Sequence, residues 1–170
     1  MIEIFTNPHE VDGMDVPNIQ LQKRNAWLMQ ILDPDNNLPQ VDIKIIDAEQ
    51  VSCEETLPSD IFEGNAGSLY IMLPGDIENI GDVVYGKDDS SPHQLVLTDF
   101  NMLDRFKDKD FDKRLCLEAL KALPLGFNAI SHAFLSDSGE EIWEWLVKAT
   151  VAKIRQEKPS GQLGKYETIF

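Results

Sequence analysis

The alternation of apolar and polar residues in the first hundred positions predicts short strands. Val41, Ile43 and Ile45 alternate with polar residues, which is typical of a strand with one buried face. The apolar runs GSLYIMLPG and HQLVLTDF end in turn-forming residues and predict two more buried strands, and MIEIF predicts a short one. Between them, residues 6–17 are rich in turn formers and predict a loop, whereas residues 18–32 fit a helix that ends before Pro34.

After Phe100 the apolar residues recur at helical spacing. They predict helices over residues 110–123, 125–135 and 138–158. We therefore expect an α+β fold, with a mixed sheet region in residues 1–100 and a helical C-terminal third. An α/β sandwich is the alternative. Residues 1–158 are predicted to form a single domain, followed by a C-terminal tail over residues 159–170.

The stretch SHAFLSDSGEEIWEWLVK gathers groups that could serve acid–base chemistry, but local structure explains most of them. Ser138 and Glu141 have the spacing of a capping box, in which each side chain bonds the other residue's amide. Glu140 lies in the first helical turn, where negative charge is favoured. His132 is predicted on the preceding helix as a partly buried histidine. The stretch thus predicts a junction between two helices.

Charge is distributed unevenly along the chain. The net charge is −15, and residues 1–100 contain 19 acidic and 4 basic residues, whereas residues 101–170 contain 11 of each. A field of this sign repels phosphate groups and anionic lipid and attracts basic surfaces. Moreover, no apolar run approaches the roughly 18–20 residues that span a bilayer. We expect a basic protein partner, and neither direct nucleic-acid binding nor membrane binding.

Two motifs bear on enzymatic chemistry. Gly81 to Asp88 has the glycine and lysine spacing of a phosphate-binding loop, but an aspartate follows the lysine where a hydroxyl is required. Asp47, Asp76 and Asp99 each follow a predicted strand. If those strands were parallel, the three carboxylates could meet at one sheet edge and bind a divalent metal.

The sequence favours a non-enzymatic, cytoplasmic protein without a cofactor, such as an inhibitor or immunity-type protein that blocks a basic partner through an acidic face. The acidic residues expected to contact the partner are Asp42, Asp47, Glu49, Glu54, Glu55, Asp82, Asp88 and Asp89. Trp27, Tyr70 and Tyr85 are possible apolar anchors. One alternative is a metal-dependent phosphoester hydrolase that uses Asp47, Asp76 and Asp99. The other is a structural subunit whose tail inserts into a neighbour.

Overall fold

A computed structural model describes residues 8–47, 67–88, 91–157, 159 and 161–170, without side chains at positions 8–18, 47, 88, 91 and 92. The helices are α1 (Pro8–Leu32), α2 (Phe111–Lys121) and α3 (Asp137–Lys148). The strands are β1 (Asp42–Asp47), β2 (Gly67–Met72), β3 (Asn79–Asp88), β4 (Ser91–Leu97), β5 (Asn101–Met102), β6 (Asn128–His132), β7 (Ala152–Ile154) and β8 (Leu163–Thr168).

The strands form one mixed sheet in the order β1-β2-β3-β4-β6-β8-β7, and β5 pairs with β3 outside this path. The pair β4–β6 is parallel, and α2 makes the crossover between its two strands. The other pairs are antiparallel. Helices packed on a mixed sheet confirm the predicted α+β class.

The three described helices pack on one face of the sheet. Their side chains Leu28, Leu120 and Trp143 belong to the same buried cluster as Leu69 of β2 and Leu95 of β4. The opposite face, here called the open face, carries no helix within the part of the chain that the structure describes. None of the described helices is both long and apolar enough to cross a membrane.

The structure differs from the sequence predictions at two places in residues 1–100. Residues 8–17, expected in a loop, belong to α1, whereas the predicted helix end before Pro34 is confirmed. Residues 79–88, for which no strand was predicted, form β3. The strand predicted in MIEIF lies outside the described residues.

The helix predicted over residues 125–135 is wrong, because this segment contains β6. Ala129, Ile130 and Ser131 are fully buried, as expected for an interior strand covered on both faces. A short run of buried residues satisfies both helical and strand spacing, so periodicity alone could not separate the two.

The helix predicted over residues 138–158 ends ten residues early, at Lys148. Thr150 adopts a left-handed conformation with φ of 60°. The amide of Thr150 donates to the carbonyl of Val147, and that of Val151 donates to that of Leu146. These two bonds form a Schellman motif, which turns the chain into β7. The turn was missed because such a position normally holds glycine.

The segment predicted as a tail completes the sheet. Leu163–Thr168 forms β8, which lies between β6 and β7. Tyr166 and Thr168 are 3% and 2% exposed. The segment therefore packs on its own domain, one of the two arrangements that its alternating apolar residues allow.

Candidate functional site

A row of four side chains crosses the open face, one from each of four neighbouring strands. Lys44 of β1 pairs with Tyr70 of β2, Tyr70 with Asp82 of β3, and Asp82 with Asn101 of β5. Cross-strand partners project from the same face of a sheet and touch one another. The Lys44 ammonium lies 5.5 Å from the centre of the Tyr70 ring, so one side of the tyrosine already faces a cation.

A shallow pocket of about 160 Å³ opens along this row. It is lined by Tyr70, Asn79, Ile80, Gly81, Asp82, Asn101, Met102 and Leu103. Gly81 is required here, because a Cβ at this position would lie 2.4 Å from the Met102 sulfur and 3.0 Å from the Asn101 carbonyl oxygen. The absence of a side chain lets β5 lie against β3, with Met102 packed against the core.

Asp82 is the charged group of the pocket. Partial burial raises the pKa of its carboxyl group, and a hydrogen bond with the Asn101 side chain opposes that rise. Within the described part of the chain, Asp82 forms no ion pair. A partly desolvated carboxylate without a cation is a favourable place for an incoming positive charge.

Apolar side chains continue around the pocket. Leu103 lines it and is 37% exposed, while Ile77 in the turn before β3 is 95% exposed. Glu78 in the same turn pairs with Arg105 across a surface contact. Exposed aliphatic and aromatic groups with a charged surround are typical of a protein-binding surface.

The sheet order separates the strands by their position in the sequence. Residues 1–100 supply β1 to β4, whereas β6, β7 and β8 come from the later part of the chain, in which acidic and basic residues balance. The strands β1 to β4, here called the acidic half of the sheet, therefore lie on one side of the parallel pair β4–β6. The pocket lies between strands β2 and β3 of this half and the short strand β5.

The eight predicted contact residues are only partly gathered. Asp42 and Asp82 both project from the open face, on either side of β2. The Asp42 carboxylate accepts a hydrogen bond from the Gly75 amide. Asp47 is the last residue of β1, and Asp88 is the last residue of β3. The remaining four fall outside the described residues: Glu49, Glu54, Glu55 and Asp89.

Of the three possible anchors, Tyr70 is the one on the open face. Tyr85 is fully buried and donates its hydroxyl to the Ala119 carbonyl at 2.7 Å. Trp27 packs edge-on against Phe170, with ring centres 6.1 Å apart. Tyr85 and Trp27 therefore hold helices to the sheet.

The sequence did not indicate Gly81, Asn101 or Met102 as site residues. Gly81 was considered only as part of a phosphate loop, whereas it lies inside β3. Alternation of Val83 and Tyr85 with Asp82 and Val84 was the available signal for a strand. No local pattern in the sequence could have paired β5 with it.

The structure does not bring Asp47, Asp76 and Asp99 together. β1 and β2 are antiparallel, with Asp47 opposite Gly67 at the start of β2, whereas Asp76 follows the end of β2. Asp76 accepts hydrogen bonds from the amides of the two residues after it, Ile77 and Glu78. Among the described residues, no group of three or more His, Cys, Asp or Glu is placed to hold a metal.

Asp99 instead closes the N-terminus of α3. Its carboxylate accepts a hydrogen bond from the Ser136 amide at 2.9 Å. Gly139 allows this approach, because a Cβ there would lie 1.9 Å from the other carboxylate oxygen. The negative charge lies where the helix dipole favours it.

The stretch around His132 is a junction, as predicted, but between a strand and a helix. His132 ends β6, and its Nδ1 accepts a hydrogen bond from the Phe134 amide. The N-cap of α3 is Ser136, whose hydroxyl accepts from the Gly139 amide at 3.1 Å. The predicted capping box of Ser138 and Glu141 is therefore wrong, because the N-cap lies two residues earlier and Gly139 has no side chain that could bond back to it.

Glu140 links α3 to β8. It accepts the Tyr166 hydroxyl at 2.5 Å and pairs with Lys165 at 2.8 Å. Glu140 and Lys165, with His132, border an open cleft of about 220 Å³. Because the Glu140 carboxylate is already bound by both partners, the cluster is accounted for by the attachment of β8 to the helix.

No protein-family model and no curated protein matches the chain. Among solved structures, the chain is similar to a putative acetyltransferase from the GNAT family from Bacteroides thetaiotaomicron. The two are 12% identical with a TM-score of 0.42, over 88% of this chain and 80% of that one. This similarity is too low to assign the fold or the activity of that protein to the chain.

Proposed function

We propose that the protein is a non-enzymatic, cytoplasmic protein-binding protein that holds a basic protein partner against the acidic half of its sheet. It would act as an inhibitor or immunity-type protein, whose binding blocks the partner. The observation that supports this best is the position of Asp82, a carboxylate beside Tyr70 on the open face that forms no ion pair with any residue the structure describes.

Acidic and apolar residues of this surface would have different roles in binding. The acidic residues accelerate the encounter with a basic partner and disfavour acidic ones. Exposed apolar groups around the pocket provide area that the partner removes from water, which supplies most of the affinity. Leu103 and Ile77 are suited to this role.

The two alternative functions have less support. The hydrolase required three aspartates that lie apart. The structural-subunit hypothesis required a free C-terminal segment, and Leu163–Thr168 is an interior strand of its own sheet.

Affinity capture from the native host, followed by mass spectrometry, tests the proposal. We expect one strongly basic protein in stoichiometric yield at low salt and its loss at high salt, because screening weakens attraction between surface charges. The activity of the captured partner is then measured with and without this protein, and the difference gives the inhibition. Capture of several components of one assembly, or of no basic protein, would contradict the proposal.

A further inference from the structure

We infer that the pocket between Tyr70 and Asp82 binds a single basic side chain, lysine or arginine, of the partner. The inference rests on the proposed function, since it names the chemical group by which the acidic half would hold its partner.

The pocket offers separate surfaces for the two parts of such a side chain. Leu103, which is 37% exposed, provides apolar wall along one side. Lysine and arginine carry long aliphatic stems that pack on apolar surface while the charged end remains near polar groups. A purely anionic pocket would lack this wall, and a purely apolar one would not favour a charge.

The charged end meets two complementary groups. Asp82 supplies a carboxylate that forms no ion pair among the described residues, and the neighbouring Asn101 side chain already bonds with it. The Tyr70 ring forms part of the same wall, and aromatic faces attract cations. Lys44 lies over one face of the Tyr70 ring, so the incoming charge would meet the other face.

The pocket size limits the occupant. A volume of about 160 Å³ suits one side chain and excludes a folded element or a large cofactor. The partner would insert one residue while its remaining surface rests on the open face.

Titration of blocked tripeptides into ¹⁵N-labelled protein tests the inference without a partner. The peptides have glycine on both sides of lysine, arginine or norleucine, which has an aliphatic stem without charge. We expect the basic peptides to shift the amide resonances of Gly81, Asp82 and Asn101, and norleucine to bind about tenfold more weakly because the charge-assisted hydrogen bond is lost.

Two variants with the same charge change sharpen the test. Asp82→Asn should weaken binding of the lysine peptide about tenfold. Asp35→Asn, at an exposed site in the loop after α1, should leave it unchanged. Equal binding of norleucine, equal losses in both variants, or shifts confined to other residues would overturn the inference.

The two proposals fail separately. If the peptides do not bind but a basic partner is captured, the acidic half binds that partner without this pocket. If the peptides bind as expected but no basic protein is captured, the pocket is a site for a cation and the proposed inhibitor function is wrong.

Discussion

The hydroxyl of Ser136 satisfies an amide that the first turn of α3 leaves without an intrahelical partner. Replacing Ser136 with alanine should lower the free energy of unfolding by about 1 kcal/mol. Ser138→Ala is the matched control, because Ser138 reaches the cap only through a 3.0 Å contact between the two hydroxyls. Urea unfolding of both variants measures the difference. A larger loss in Ser138→Ala would show that the capping box first predicted from the sequence is correct.

Thr150 is a β-branched residue in a conformation that favours glycine. Because its side chain is exposed, little packing is lost when it is removed. Thr150→Gly should therefore raise the free energy of unfolding by about 0.5–1 kcal/mol. Lys148→Gly, inside the last turn of α3, should lower it by a similar amount. Thermal and urea unfolding test the opposite signs, and destabilisation by both would rule out strain at Thr150.

At this scale the sequence is informative about residue type and less so about register. Two serines precede α3, and both suit an N-cap, so the choice between Ser136 and Ser138 depends on where the chain leaves β6. Thr150 carries no sequence signal for a helix end. The next residue, Val151, is buried in the same core cluster as Leu146.

The attachment of β8 to α3 should be visible in the alkaline stability of the protein. Burial, and then the hydrogen bond to Glu140, raise the pKa of Tyr166 to about 12 from the ordinary tyrosine value of 10.0. Between these values the unfolded chain releases this proton while the folded protein keeps it, so the free energy of unfolding falls as pH rises. Tyr166→Phe should show a smaller fall.

Urea unfolding of the wild type and Tyr166→Phe at pH 8, 10 and 11 measures this difference. At pH 8 the variant should be about 1 kcal/mol less stable, because the hydrogen bond to Glu140 is lost. The gap should narrow as the pH rises. A gap that stays constant to pH 11 would show that Tyr166 ionises equally in both states. Tyr85, whose pKa is also raised by burial, contributes to both proteins and cancels.

Deletion of residues 159–170 should abolish cooperative unfolding, because it removes an interior strand. Thr168 accepts the Ala129 amide, so β6 would also lose a partner. Deletion of residues 169–170 alone is the control and removes the Phe170 contact with Trp27 but leaves β8 intact. Circular dichroism during heating distinguishes the two. A cooperative, stable shorter chain would mean that β8 is dispensable.

Sequence reasoning identified three strands of the sheet and mistook β6 for a helix. β1, β2 and β4 were predicted from alternation or short apolar runs. β6 has no exposed face to impose alternation, so its neighbours Phe127 and Phe134 suggested a helix. Burial on both sides follows from the pairing of β6 with β4 and β8, which no local pattern contains.

For the whole molecule, charge placement should matter more than net charge. Asp88→Lys with Asp89→Lys, at the β3–β4 connection, should slow association with the basic partner and reduce its salt dependence. The control is Glu141→Lys with Glu144→Lys, which changes the net charge by the same amount on the exposed side of α3. This pair should slow association less. Stopped-flow association rates at low and physiological salt test this. Equal slowing by both pairs would contradict a partner held by the acidic half.

The candidate site was predictable only in part. Asp42, Asp82 and Tyr70 were each identified from residue type and charge. Whether these three side chains lie on the same face of the sheet depends on the register of β1, β2 and β3. The sequence does not determine that register. Asn101 and Met102 enter through a two-residue strand too short to give a periodic signal.

The position of β8 also constrains the order in which the protein can mature during synthesis. β7 leaves the ribosome before β8, yet its sheet partner is β8, which must insert between it and β6. The acidic half can assemble early, whereas β6 keeps one edge unpaired until residue 168 has emerged from the exit tunnel. Nascent chains stalled before that point would hold a completed acidic half beside an open strand edge. We expect them to recruit chaperones that bind such edges, and to be released once β8 closes the sheet.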